Sequence, residues 1–285
     1  NSSLHCRMSR IRYSSAQVPW ENGNSNLSHF HSTERIAMRA YIQRPANRPG
    51  SVNLAAARLG FYEMGIECLE YQTPEQFADA AREDVVVGGI GMVRFRLEQL
   101  GVAIEEIDYP PELEGYLGRR VWRTTMNRVA NSPESWPVFA KPVEGKRFTG
   151  KVIRTLADLE GCGSSERDPD VWCSEPVDFK SEWRCFVRYG KVLGVRQYFG
   201  DWSKAPDRAT VESAVADYAS APAGYAIDFG VTEEGKTLLV EVNEGYSLGS
   251  YGLPHLLYAQ LLAARWAELV GVPDELGSLN RDWTV

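Results

Sequence analysis

Residues 225–244 read YAIDFGVTEEGKTLLVEVNE. Two mostly apolar runs flank Glu234-Gly235, so the stretch is expected to fold as a β-hairpin. Asp228 interrupts the first run, and Glu241 and Asn243 alternate with apolar residues in the second. A strand's period of two puts Glu241 and Asn243 on one face. The turn folds Asp228 back opposite Glu241. Two carboxylates held close in a core are costly unless positive charge lies between them. Magnesium takes oxygen donors of this kind and completes its shell with water and phosphate oxygens. A hydrogen-bonded polar cluster or a solvated sheet face would show the same pattern.

Two further stretches lie upstream. In Phe139-Ala140-Lys141-Pro142 the lysine ends a strand and is followed by proline. Fixed there, Lys141 can hold a phosphate as a point charge, although a snorkelling surface lysine has the same signature. The following EGKRFTGKV, residues 144–152, has glycines, cations and a threonine suited to a flap over phosphates. It lacks the spacing of a P-loop. In Cys173-Ser174-Glu175-Pro176-Val177 a strand stops at proline and leaves backbone groups outside the ladder, free to read a purine edge. Glu182 is placed to accept from ribose hydroxyls, and Arg184, on the same strand face, reaches phosphate or an acyl-phosphate. A surface salt bridge is the plainer reading of that pair.

Working outward, residues 181–199 read as another hairpin turning at Tyr189-Gly190-Lys191. Helices are expected over 119–130 (RRVWRTTMNRVA), 155–161, 210–220 and, strongly amphipathic, 255–271. Short strands are expected in PVFAKPV, KRFTGKVI and VWCSEPV. The first half alternates differently. MRAYIQ (38–43), IECLEY (66–71) and EDVVVGG (83–89) read as strands. Between and after them, 51–64, with Ser51 as N-cap, 73–82, with Thr73 as cap and Pro74 at its first position, and 92–101 read as helices. That alternation implies an α/β unit with a parallel sheet over about 38–115, ending near Pro110-Pro111.

The chain has 285 residues, enough for one or two domains, and a net charge of -7 that argues against a general nucleic-acid binder. No apolar run is long enough to span a membrane. Its five cysteines show no CxxC spacing, which disfavours a zinc site or a disulfide framework and points to reduced thiols in a cytoplasmic protein. Residues 1–37 hold eight serines and four asparagines without periodicity, and are expected to be a disordered or leader segment; His29 and His31 fall within it. Residues 276–285 are expected to be a C-terminal tail.

The order lysine strand, acidic hinge, acid-rich hairpin resembles the ATP-grasp superfamily. The resemblance rests on Lys141 in FAKP, Glu175 to Val177 in SEPV, Glu182 and Arg184 in SEWRCFV, and Asp228 with Glu241 and Asn243. It covers roughly residues 116–270. The wording FAKP, KRFTG and EVNEGYSLGSYGL most resembles a small RimK-like clade of bacterial and phage ATP-grasp proteins. The resemblance implies an α/β pre-ATP-grasp domain with a parallel sheet over 38–115. It is followed by a two-lobed catalytic domain with antiparallel sheets over 116–275.

The resemblance further implies an ATP-dependent carboxylate–amine or carboxylate–thiol ligase acting through an acyl-phosphate. Lys141 would contact ATP phosphate, the Glu175, Pro176 and Val177 backbone would meet adenine, and Glu182 the ribose. Asp228, Glu241 and Asn243 would bind two magnesium ions, with manganese an alternative. Arg184 and Arg196 would face the transferred phosphoryl group. The EGYSLGSYGLP loop follows the metal ligands, so Tyr246, Ser247 and Ser250 are candidate substrate contacts, and His255 is a candidate base or a simple helix-start residue. Partners would be ATP, a small carboxylate or peptide, and an amine acceptor, with no membrane. Many members carry an upstream lysine; here arginines occupy that region, and Arg119, Arg120 or Arg123 would substitute. A small-molecule kinase and a nucleotide-binding regulatory or interaction module remain open as other functions.

Overall fold

The computed structural model describes residues 38–45, 50–143, 148–163 and 168–277. The expectations for residues 1–37, for part of the flap at 144–147 and for most of the tail lie outside the described residues.

The N-terminal half forms β1 (Ala40–Gln43), α1 (Val52–Glu63), β2 (Cys68–Tyr71), β3 (Val85–Val87) and α2 (Ile90–Gln99). The strands make a parallel sheet in the order β2-β1-β3, as the alternation implies. Ser51 precedes α1 in extended conformation, without a side-chain capping bond. The expected helix over 73–82 is a single 3-10 turn, Pro74–Phe77, closed by a capping box between Thr73 and Gln76. Phe77 and Ala80 are the buried apolar residues of that run, too narrow a face to hold a longer helix. Asp84 then draws the chain away by accepting from the Ala81 and Arg39 amides, both at 2.8 Å.

The second half contributes β4 (Val121–Thr125), α3 (Met126–Ala130), β5 (Val138–Pro142), β6 (Lys151–Ile153) and β7 (Asp170–Ser174). These strands form an antiparallel sheet in the order β4-β7-β5-β6. The helix expected over 119–130 is corrected here: Val121–Thr125 is strand, and only the last five residues are helical. Val, Trp and two Thr suit a pleated strand, and β7 offers a complete antiparallel partner. Residues 155–161 give one 3-10 turn, Leu156–Leu159.

A second antiparallel sheet, in the order β11-β10-β8-β9, comprises β8 (Ser181–Arg188), β9 (Lys191–Gly200), β10 (Gly224–Val231) and β11 (Thr237–Glu244), with α4 (Arg208–Asp217) inserted. Both expected hairpins are present. Tyr189 and Gly190 form the first turn with φ of 47° and 70°, the pair of positive φ that a tight hairpin needs.

Three apolar cores hold these layers. One packs α2 and the parallel sheet with the last helix, α5 (His255–Val270), through Phe61, Tyr71, Leu97, Tyr258 and Trp266. Each such side chain contributes about 1.5–3 kcal/mol of transfer free energy. α1 crosses α5 at Gly60, where a Cβ would lie 2.1 Å from the His255 carbonyl oxygen, so only glycine permits the approach. The second core packs α4 against Val187, Tyr225, Ile227 and Phe229, and the third fills the β4–β7 sheet. Cys162, Cys173 and Cys185 are buried free thiols and Cys68 is half-buried. Among the described residues no helix is long and apolar enough to cross a membrane.

Candidate functional site

The register of the second sheet sets the site. Glu241 pairs with Asp228, Asp228 with Arg184, and Arg184 with Arg196. Directly opposed residues share a face, so four charges form one row across four strands, two acids followed by two arginines. The expected approach of Asp228 to Glu241 is the observed register. Asp228 is 1 % exposed. Arg184 grips it bidentately, Nε to Oδ1 at 2.8 Å and Nη2 to Oδ2 at 2.6 Å. Asn243 Nδ2 donates to the same carboxylate at 3.0 Å. Burial pushes the Asp228 carboxyl above its ordinary value, and Arg184 acts against that push.

The facing sheet supplies the other cation. Lys141, on β5, donates from Nζ to Glu241 Oε2 at 2.5 Å and also to Asp108, above the Tyr109 ring at 4.7 Å. Its side chain is only 12 % exposed, which excludes the snorkelling surface lysine. Burial works to lower the ammonium's pKa, but the charges of Glu241, Tyr109 and Asp108 outweigh it, so Lys141 is held protonated. Burial likewise works to raise Glu241, yet Lys141 leaves it below the usual carboxylate range. Positive charge therefore does lie beside both buried carboxylates, as their proximity requires.

These groups line a cleft of about 850 Å³ between the two antiparallel sheets. Lys141, Pro176, Val177, Glu182, Arg184, Asp228, Glu241 and Asn243 all face it, as do Tyr246 and Ser247. Glu182 accepts from the Tyr198 hydroxyl at 2.7 Å, and burial raises its pKa. Three expected site residues are not in the lining. Glu175 is exposed and its carboxylate accepts from the Arg120 amide at 3.1 Å. Arg196 keeps its place in the charged row, but its guanidinium packs beside Gly194 with a buried Nε that has no partner. Ser250 is 2 % exposed and donates through both N and Oγ to Asn53 Oδ1 at 2.9 Å, tying the loop after β11 to α1. Ser247 makes a similar tie, donating to the Gly88 carbonyl at 2.8 Å. His255 lies at the α1–α5 contact, 2.6 Å from Glu63.

Of the three upstream arginines, only Arg119 lines the cleft. It donates to the carbonyls of Leu117, Leu239 and Val240 at 3.0, 2.7 and 3.2 Å. Arg120 lies over Trp122, and Arg123 pairs with Asp170 and Glu106. Four cleft residues escaped the sequence reading. Tyr198 follows Arg196 by two and is legible from strand period. Tyr251 stacks on Tyr198 at 5.1 Å, with Arg184 5.0 Å over its ring. Asp108 and Tyr109 adjoin the proline pair and resemble linker; only the Val242 amide donating to the Asp108 carbonyl at 2.9 Å brings them in.

Among the described residues no group of three or more His, Cys, Asp or Glu could hold a metal. Asp228, Glu241 and Asn243 offer two carboxylates and an amide. That hard-oxygen set suits magnesium only with water and phosphate oxygens as the remaining ligands. The pairing of each carboxylate with a cation of the chain marks this spot as one that requires positive charge, so the residues fit the ion.

Residues 116–261 match the model of an ATP-grasp domain, the second family of its clade. The chain belongs to that ATP-grasp family. Among solved structures, D-cycloserine synthetase DcsG is similar at TM-score 0.55 and 12 % identity, covering 80 % of this chain and 99 % of its own. D-alanine–D-alanine ligase from Bacillus anthracis aligns at TM-score 0.48 and 17 % identity, covering 82 % and 96 %. The ATP-grasp ligase PsnB, complexed with a minimal precursor, aligns at 0.46 and 14 %, covering 80 % and 99 %. No curated protein matches the chain.

Proposed function

We propose that the chain is an ATP-dependent carboxylate–amine ligase that works through an acyl-phosphate, a thiol being the other nucleophile of this chemistry. The supporting observation is the meeting, in one cleft, of Lys141 from one antiparallel sheet with Asp228, Glu241, Asn243 and Arg184 from the other. Lys141 and Arg119 hold ATP phosphates, the backbone at Glu175, Pro176 and Val177 meets adenine, and Glu182 holds the ribose. Bound magnesium, carried by Asp228, Glu241 and Asn243, supplies charge neutralisation on the phosphates. A substrate carboxylate oxygen attacks the γ-phosphorus while the bond to ADP breaks. The amine then attacks the acyl carbon, phosphate departs with the bonding pair, and the surplus amine proton passes to solvent. The protein's part is to position groups and place Arg184 and Lys141 beside developing charge.

The test is ADP release by the folded protein with Mg·ATP, screened with amino acids and small peptides in pairs. Release that needs both a carboxylate and an amine is expected. Release with a carboxylate alone identifies a kinase, and Mg·ATP binding without release identifies a binding module.

The same reading assigns the upstream cation. Arg119→Ala is expected to weaken Mg·ATP binding about tenfold, the loss of roughly 1.4 kcal/mol, with Arg120→Ala and Arg123→Ala near wild type. Calorimetric titration of the three variants checks this. Equal losses in all three would detach the role from Arg119.

A further inference from the structure

Five cations line the cleft: Arg94, Arg119, Lys141, Lys151 and Arg184. Four are occupied by the chain itself. Arg119 donates to three backbone carbonyls, Lys141 to Glu241 and Asp108, Arg184 to Asp228, and Lys151 to the Glu160 carbonyl at 2.8 Å. Arg94, in α2, is different. Its sole hydrogen bond among the described residues runs from Nε to the Tyr246 hydroxyl, at a long 3.4 Å. Glu244 feels the Arg94 charge, but its two oxygens are taken by Arg265 at 2.8 and 3.0 Å. The terminal nitrogens of Arg94 thus face the cleft without an acceptor among the described residues.

A half-buried guanidinium carries a planar fork of donors whose spacing matches a carboxylate, and leaving it unpaired forgoes its strongest interaction. Its neighbours narrow the ligand. Beside Arg94, Ser247 and Leu248 line both the cleft and a second cavity of about 530 Å³. That cavity is walled by Gln43, Asn53, Gly88 and Gly89 among others and has no charged side chain in its lining. An anionic group entering this region therefore has Arg94 as its counter-charge, while the uncharged remainder of the molecule has the neutral cavity.

We propose that Arg94 binds a substrate carboxylate other than the one ATP activates. The inference rests on the ligase reading and names its substrate class: a molecule that keeps one free carboxylate through the reaction. That carboxylate belongs either to an amino-acid acceptor or to a dicarboxylate donor, two sources with one chemistry at Arg94. Arg94 is a binding residue from the N-terminal half, and it takes no part in holding the nucleotide.

The test uses the full chain loaded with magnesium and the nonhydrolysable ATP analogue AMPPNP. Wild type, Arg94→Gln and Arg94→Lys are titrated calorimetrically with matched probes: alanine against alaninamide, and succinate against its monoamide. In wild type one carboxylate probe is expected to bind about tenfold tighter than its amide partner. The alanine pair reveals an acceptor and the succinate pair a donor. Arg94→Gln abolishes the preference, Arg94→Lys keeps part of it, and Mg·AMPPNP affinity stays within about twofold in all three. A preference that survives in Arg94→Gln overturns the proposal, as does wild type that binds Mg·AMPPNP and shows no preference in either pair. Folded wild type that fails to bind Mg·AMPPNP overturns the ligase reading itself.

Discussion

Glu241→Gln lowers magnesium-dependent ATP turnover by about 10²–10³-fold, the range for losing one electrostatic contributor in a preorganised site, while the protein still folds. The variant keeps an oxygen that can accept from Lys141, and Asp108 still neutralises that ammonium. What disappears is one of the two carboxylates facing the cleft opposite Lys141. The stability cost at neutral pH is about 1 kcal/mol, that of a weakened charge-assisted hydrogen bond. The pH dependence gives a second check. Lys141 holds Glu241 below its ordinary value, so its contribution to stability is present above the unfolded-state value of about 4.3 and is lost as pH falls through the folded one. The variant should therefore approach wild-type stability in acid and fall behind it as pH rises. Urea unfolding at several pH values, beside an ADP-release assay, measures both effects. Unchanged ADP release would remove Glu241 from the site.

The parts of the site legible in the sequence are those fixed by local period. Alternation along one strand put Glu241 and Asn243 on a face, and a two-residue turn fixed the register to Asp228. The same logic extends to Arg184 and Arg196, because antiparallel neighbours carry a row straight across the sheet. Helix and strand types failed where local preference and tertiary pairing diverge. Residues 119–130 have helical spacing, yet β7 recruits Val121–Thr125 as a strand. Contacts between distant segments were not legible at all. Asp108 reaches Lys141 across a gap of 33 residues, and Ser250 meets Asn53 across 197. No periodicity encodes such pairings. Hence Ser250 reads from sequence as a substrate contact, whereas the structure commits both its donors to Asn53.

Arg184→Met carries the largest expected loss of stability. Arg184 and Asp228 are 8 % and 2 % exposed at their side chains, so the pair lies out of water. Removing the guanidinium leaves a buried carboxylate with only Asn243 and Tyr198 as donors. Breaking a buried pair from one side costs about 3–5 kcal/mol, whereas replacing both members with apolar groups is often neutral or stabilising. Arg184→Met combined with Asp228→Leu should therefore regain most of the loss in urea unfolding, and yet bind no Mg·ATP. That combination of outcomes would separate two reasons for the pair to exist. If the doubly apolar protein is as stable as wild type, the fold does not need the charges, and their presence at the cleft floor is explained by the charged ligand they receive. If the single variant loses less than about 1 kcal/mol, in the range of an exposed pair, the floor is wet. Asp228 would then be a solvated surface acid, and the argument for a buried cation site would lose its physical basis.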